Sequence, residues 1–81
     1  MPQFIDYHDE LKLPADALDT IREETKSGKV DQYGVRQLEL YHNAEGKVYC
    51  LLDGPNEEAV RQHHAALDVP CGAVHEVKSL L

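Results

Sequence analysis

The segment 47–53 constrains the fold most. Its centre, Val48-Tyr49-Cys50-Leu51-Leu52, is almost continuous in apolar character. A strand of that kind needs cover on both faces and belongs in the middle of a sheet. Just before it, Asn43-Ala44-Glu45-Gly46 has the composition of a four-residue hairpin connection. Residues 35–42 then read as the partner strand, with Leu38 and Leu40 on one face and Gln37, Glu39 and Tyr41 on the other. The middle of the chain is therefore a β-hairpin.

Each side of the hairpin repeats one pattern. Gln3-Phe4-Ile5-Asp6-Tyr7-His8 is a short strand with β-branched and aromatic residues at its centre. It leads through Leu13-Pro14 into a helix, with Pro14 suited to the first helical position. Ala17, Leu18 and Ile21 recur at helical spacing, and Ser27-Gly28 supplies the stop. After the hairpin, Gly54-Pro55 ends the strand and Asn56 caps a second helix, with Glu57 and Glu58 where the helix dipole favours acids. Ala59, Val60, His63, Ala66 and Leu67 form its repeat, and residues 73–79 read as a last strand. The order β-α-β-β-α-β is the split βαβ motif. Right-handed crossovers then predict an α+β, ferredoxin-like domain spanning 1–81, with antiparallel sheet order 4-1-3-2 and both helices on one face.

A chain of 81 residues buries only about 60–65% of its unfolded surface, and small sheets often cover an open face by pairing. A homodimer through the sheet face is expected. Eight basic against fifteen acidic residues leave a net charge of −7, which opposes nucleic-acid and anionic-lipid binding and favours cations. No apolar stretch approaches the ~20 residues of a membrane span. Met1-Pro2-Gln3 lacks the basic, then apolar, start of a signal peptide. Two cysteines are too few for a secreted disulfide framework. The expectation is a cytoplasmic protein with free thiols.

The 4-1-3-2 topology makes a geometric prediction. The end of strand one lies beside the starts of strands three and four, and the end of strand two and the C-terminal half of helix two reach the same pole. His8, His42, Cys50, His63, His64, Cys71 and His75 all map to that half of the molecule. Neutral imidazole and thiolate are the usual ligands of zinc, nickel, copper and cobalt. Asp6 lies two residues before His8, on the same strand face, where a carboxylate orients or complements the ring. The spacing permits a metal site without specifying one. There is no CxxC pair, and His63 and His64 point about 100° apart on a helix.

Plainer roles compete for the same residues. His42 suits a solvated strand end, Cys50 between Tyr49 and Leu51 suits a small core hydrophobe, and Cys71 after Pro70 suits an exposed loop thiol. One of His63 and His64 faces solvent while the other touches the sheet. The sequence carries no phosphate loop and no nucleophile elbow, and an apolar mid-strand setting raises a thiol's pKa. An enzyme is not expected.

These residues also resemble a family. Met1-Pro2-Gln3-Phe4-Ile5-Asp6-Tyr7-His8, Tyr33-Gly34-Val35, the run from Gly46 to Pro55, Glu58-Ala59-Val60-Arg61-Gln62-His63-His64 and Val74-His75-Glu76-Val77 are similar to a family of small bacterial proteins, formerly a domain of unknown function. The resemblance implies nickel binding, a ferredoxin-like fold and a homodimer. It carries over most directly to His8, Cys50 and His63, and more weakly to Asp6 and His64. Many relatives place a second histidine four residues after the His63 position, where this chain has Leu67; His64 is left to stand in.

Together these readings lead to a cytoplasmic, non-catalytic nickel-binding protein that sequesters or delivers the ion. The candidate ligands are Asp6, His8, Cys50, His63 and His64, with zinc, copper or cobalt as alternative ions. The competing expectation is a small dimeric ferredoxin-like enzyme or haem protein, using Tyr7, Tyr41 or His8 on paired sheet faces.

Overall fold

The computed structural model describes all 81 residues, Met1 to Leu81. Its elements are β1 (Gln3–His8), α1 (Ala15–Ser27), β2 (Arg36–His42), β3 (Val48–Asp53), α2 (Glu57–Ala66) and β4 (Val74–Val77). The strands form one antiparallel sheet in the order β2-β3-β1-β4. This is the expected 4-1-3-2 arrangement of an α+β fold.

Strand alternation gives the sheet one dry face. Phe4, Asp6 and His8 of β1 are buried, and they pair with buried Leu52, Cys50 and Val48 of β3. Val35, Ala59, Val60 and Val74 complete the core with Phe4, Val48, Cys50 and Leu52. Ile5, Tyr7 and Tyr49 point the other way and are half-buried or exposed.

The two helices cover the dry face unequally. In α1 no residue is fully buried, and Leu18 and Ile21 are half-buried. Pro14 is its N-cap rather than its first helical residue, and Gly28 ends it in the left-handed conformation, φ 71°. That backbone favours glycine because a Cβ is strained there. In α2, Asn56 accepts a hydrogen bond from the Ala59 N–H at 2.8 Å, as its capping role predicts.

The inner stripe of α2 is Ala59, Val60 and His64. The repeat read through His63, Ala66 and Leu67 is corrected here: His64 lies four residues after Val60 and so shares its face, while the helix stops at Ala66 and Leu67 is its C-cap.

Two other sequence expectations change. A β-bulge between Gln37 and Glu39 sets Gln37, not Leu38, opposite Leu52, and Leu40 opposite Cys50. Leu38 and Leu40 are thus not successive residues of one regular face. The Gln37 side-chain amide donates to the Leu51 and Glu39 carbonyls at the irregularity. The last strand covers Val74–Val77 instead of 73–79, because Val77 already pairs with Gln3, where β1 begins.

Candidate metal centre

Four elements converge on Asp6. Alternation along β1 puts Asp6 and His8 on the dry face beside Phe4. Antiparallel pairing sets Cys50 of β3 directly opposite Asp6. The spacing of Val60 and His64 on α2 turns the His64 ring down onto the sheet. Val74, at the start of β4, pairs with Asp6 from the other side, so the loop entering β4 carries Cys71 to the same place.

Asp6 is fully buried, and no backbone N–H, amide, hydroxyl or guanidinium donor reaches either carboxylate oxygen. Imidazole nitrogens face both of them: His8 Nε2 lies 3.6 Å from Oδ1, and His64 Nε2 is in close contact with Oδ2. Asp53 is a useful contrast, since its Oδ2 is held by Arg36 Nη2 at 2.7 Å. A buried carboxylate is costly unless it is paired, and imidazoles are the counterparts on both sides of Asp6.

The ring of His64 has a defined orientation. Its Nδ1 lies 2.8 Å from the Val60 carbonyl. A carbonyl only accepts, so Nδ1 carries the hydrogen and Nε2 is the atom left for Asp6 or for a ligand. A backbone carbonyl holding one imidazole nitrogen while the other points at a donor cluster is the usual outer support of a metal-ligating histidine.

Charge in the group is unevenly held. Burial opposes a proton on His64, but the Asp6 carboxylate and the Val60 carbonyl outweigh it and raise its pKa above the ordinary value. Burial lowers the pKa of His8, and Asp6 offsets this only in part. Burial, reinforced by Asp6, pushes the Cys50 thiol far above the usual range. Cys71 is also raised by burial, with the Arg61 guanidinium pulling back. Both cysteines are free thiols. An ion binding here would displace protons from sulfur and from His64.

Donor atoms of Asp6, His8 and Cys50 lie within 4.8 Å of one another, as do those of Asp6, His64 and Cys71. Bonds of about 2.0–2.3 Å from nitrogen, oxygen or sulfur to a shared ion place donors at most about 4.6 Å apart, so each trio is within a small adjustment of coordination. The mixed imidazole, thiolate and carboxylate chemistry suits a late first-row divalent metal. The residues present fit such an ion.

Of the residues singled out from sequence, Asp6, His8, Cys50 and His64 come together. His63 does not join them: its Nδ1 lies 2.6 Å from Asp31 Oδ2, and its ring stands edge-on to His64 with centroids 5.6 Å apart. His42 and His75 are exposed, and His75 pairs with Ile5 on the open face. Cys71 is the residue sequence reasoning missed. Its signal lay in the topology, since the strand it precedes had to pair with β1 beside Asp6. A cavity of about 90 Å³ lies under the helices, lined in part by His8, Cys50, His63 and His64.

The sequence model of a family described as "Nickel responsive protein SCO4226-like" matches residues 4–77. Among solved structures, the chain is similar to the crystal structure of SCO4226 from Streptomyces coelicolor A3(2), with TM-score 0.74 and 25% identity over 98% of this chain and 99% of that one. No curated protein gives a significant match.

Proposed function

The chain belongs to the SCO4226-like family of nickel responsive proteins, and from that membership and the Asp6 cluster we propose that it binds a divalent transition metal, with nickel as the physiological ion. Asp6 is the shared ligand of two adjoining donor trios, one completed by His8 and Cys50 and the other by His64 and Cys71. The role is sequestration or delivery rather than catalysis. One observation carries this reading: a carboxylate with no exposed surface, faced by an imidazole nitrogen on each oxygen and within reach of two thiols.

Because imidazole and thiol bind only after losing protons, affinity falls as pH drops. The cavity beside these donors, about 90 Å³, is well below the ~300 Å³ of a small-molecule pocket, which disfavours haem or a substrate in contact with them. His8 faces the helices, so a ligand on the open sheet face would have to rely on Tyr7 or Tyr41. We place a second copy of the chain against that open face, where Tyr41 and Tyr49 are exposed.

Thermal melts with and without nickel test the site. A midpoint that rises with nickel in the wild type and stays put in Asp6→Asn and His64→Ala supports it. Equal shifts in all three proteins reject it.

A further inference from the structure

Asp31, in the loop before β2, holds a second histidine in a fixed pose outside the buried group. Asp31 Oδ1 accepts hydrogen bonds from the backbone N–H groups of Tyr33 at 2.8 Å and Val35 at 3.0 Å. That leaves Oδ2 facing His63 Nδ1 at 2.6 Å. A carboxylate accepts, so Nδ1 carries the ring hydrogen and Nε2 of the neutral ring keeps its lone pair. His63 therefore has the tautomer and the carboxylate support of a metal-ready imidazole, yet it lies outside both close donor trios.

Its position gives that arrangement a use. A surface groove of about 380 Å³ is bounded by the end of α1, the loop 29–35 and the C-terminal half of α2. Glu24, Gln37, His63 and Leu67 line this groove, and the same four residues line the inner cavity that His8, Cys50 and His64 border. The outer groove and the inner cavity thus meet at these four residues, which we take as the neck between them, and His63 is one of the four. The inner donors are nearly sealed, with Asp6, His8, Cys50 and His64 between 0% and 7% exposed. An ion reaching them must shed water while crossing a partly apolar layer, which is costly without replacement ligands. The His63 imidazole at the neck, ligating through Nε2, replaces one water before the interior donors are reached.

We propose that His63, oriented by Asp31, is an outer entry site that takes a hydrated divalent cation from the groove and passes it to the Asp6 cluster. This rests on the metal-binding reading above and adds a route to it. A group on the route changes entry and exit equally and leaves the equilibrium alone. A ligand of the final site acts mostly on the exit rate and so on affinity.

Rapid mixing of the full chain with nickel ion alone, followed by equilibrium titration, separates the two. In His63→Ala and in Asp31→Asn, association is expected to slow about tenfold, dissociation to slow by the same factor, and affinity to stay within about twofold of wild type. Asp31→Asn is informative because its amide nitrogen would donate to Nδ1, moving the ring hydrogen to Nε2 while the ring remains. His63→Gln provides a second replacement if His63→Ala fails to fold, with far-UV circular dichroism of the metal-free proteins as the check. Unchanged association rates overturn the entry site, and weakened affinity at an unchanged association rate overturns it by making His63 a final ligand. If the wild type takes up no nickel, the buried site itself fails and the entry site fails with it.

Discussion

Two ends of the same dry sheet face are equally shielded from water and opposite in chemistry. Around Phe4, the face is built from Leu52, Val35 and Val60, none more than 2% exposed. The packing is tight enough that a Cβ on Gly54 would come within 3.2 Å of Val35 Cγ2. Two residues further along β1, the same layer holds Asp6, with His8, Cys50 and His64 around it. The apolar end gains free energy from burial. The donor end gains far less, because a carboxylate and two imidazoles are taken out of water there. The first end maintains the fold, and the second keeps donor atoms assembled at the fold's expense.

The comparison can be broken most directly at the apolar end. Leu52→Ala should cost about 2–5 kcal/mol in urea unfolding; a loss well below that range would show that this end is not the principal core. At the donor end, nickel at one hundred times its dissociation constant should add about 2.7 kcal/mol to wild-type stability. Asp6→Asn should gain nothing from the ion, as read by the unfolding midpoint at matched nickel concentration. Without metal, Asp6→Asn should change stability by no more than about 2 kcal/mol, since His64 gives up its proton when the buried carboxylate is removed and no charge is left stranded. A clear loss of stability in that variant would mean that Asp6 supports the fold itself.

The smallest effect concerns the neck. Burial works against ionised Asp31, but the Val35 N–H, His63 and the Tyr33 N–H outweigh it and hold the carboxyl below its usual 3.8. The folded state therefore releases this proton more readily than the unfolded chain. Its contribution to stability is complete above pH 3.8 and is lost as pH falls through the lower folded value. A pH series of unfolding curves should show less acid sensitivity in Asp31→Asn than in the wild type.

Much of this molecule was legible in particular stretches of sequence. The apolar run at 48–52 announced the central strand, Asn56 announced the start of α2, and the His8 and Asp6 pair on one strand face announced its own geometry. The choice between His63 and His64 was not legible in the same way. Neighbouring helical residues diverge by about 100°, and both fit within the apolar repeat of α2, so only the depth and rotation of the helix on the sheet select the inner one. Cys71 was mapped to the right pole but read as an exposed loop thiol, because a loop has no period from which to read a direction. The bulge after Gln37 shifted the β2 register in a strand whose alternation looked regular.

Periodicity and turn chemistry by themselves determined the six elements and their order, and the handedness of crossovers turned that order into one sheet topology. They also determined that the histidines and thiols fall toward one pole. Tertiary structure alone decided which of them touch, that Asp6 faces imidazoles on both oxygens, and that His63 turns to Asp31 instead. The physical reason is that sequence periods specify where a side chain points within its own element. Coordination depends on distances of a few ångströms between elements, and those are set only when helices, strands and loops pack.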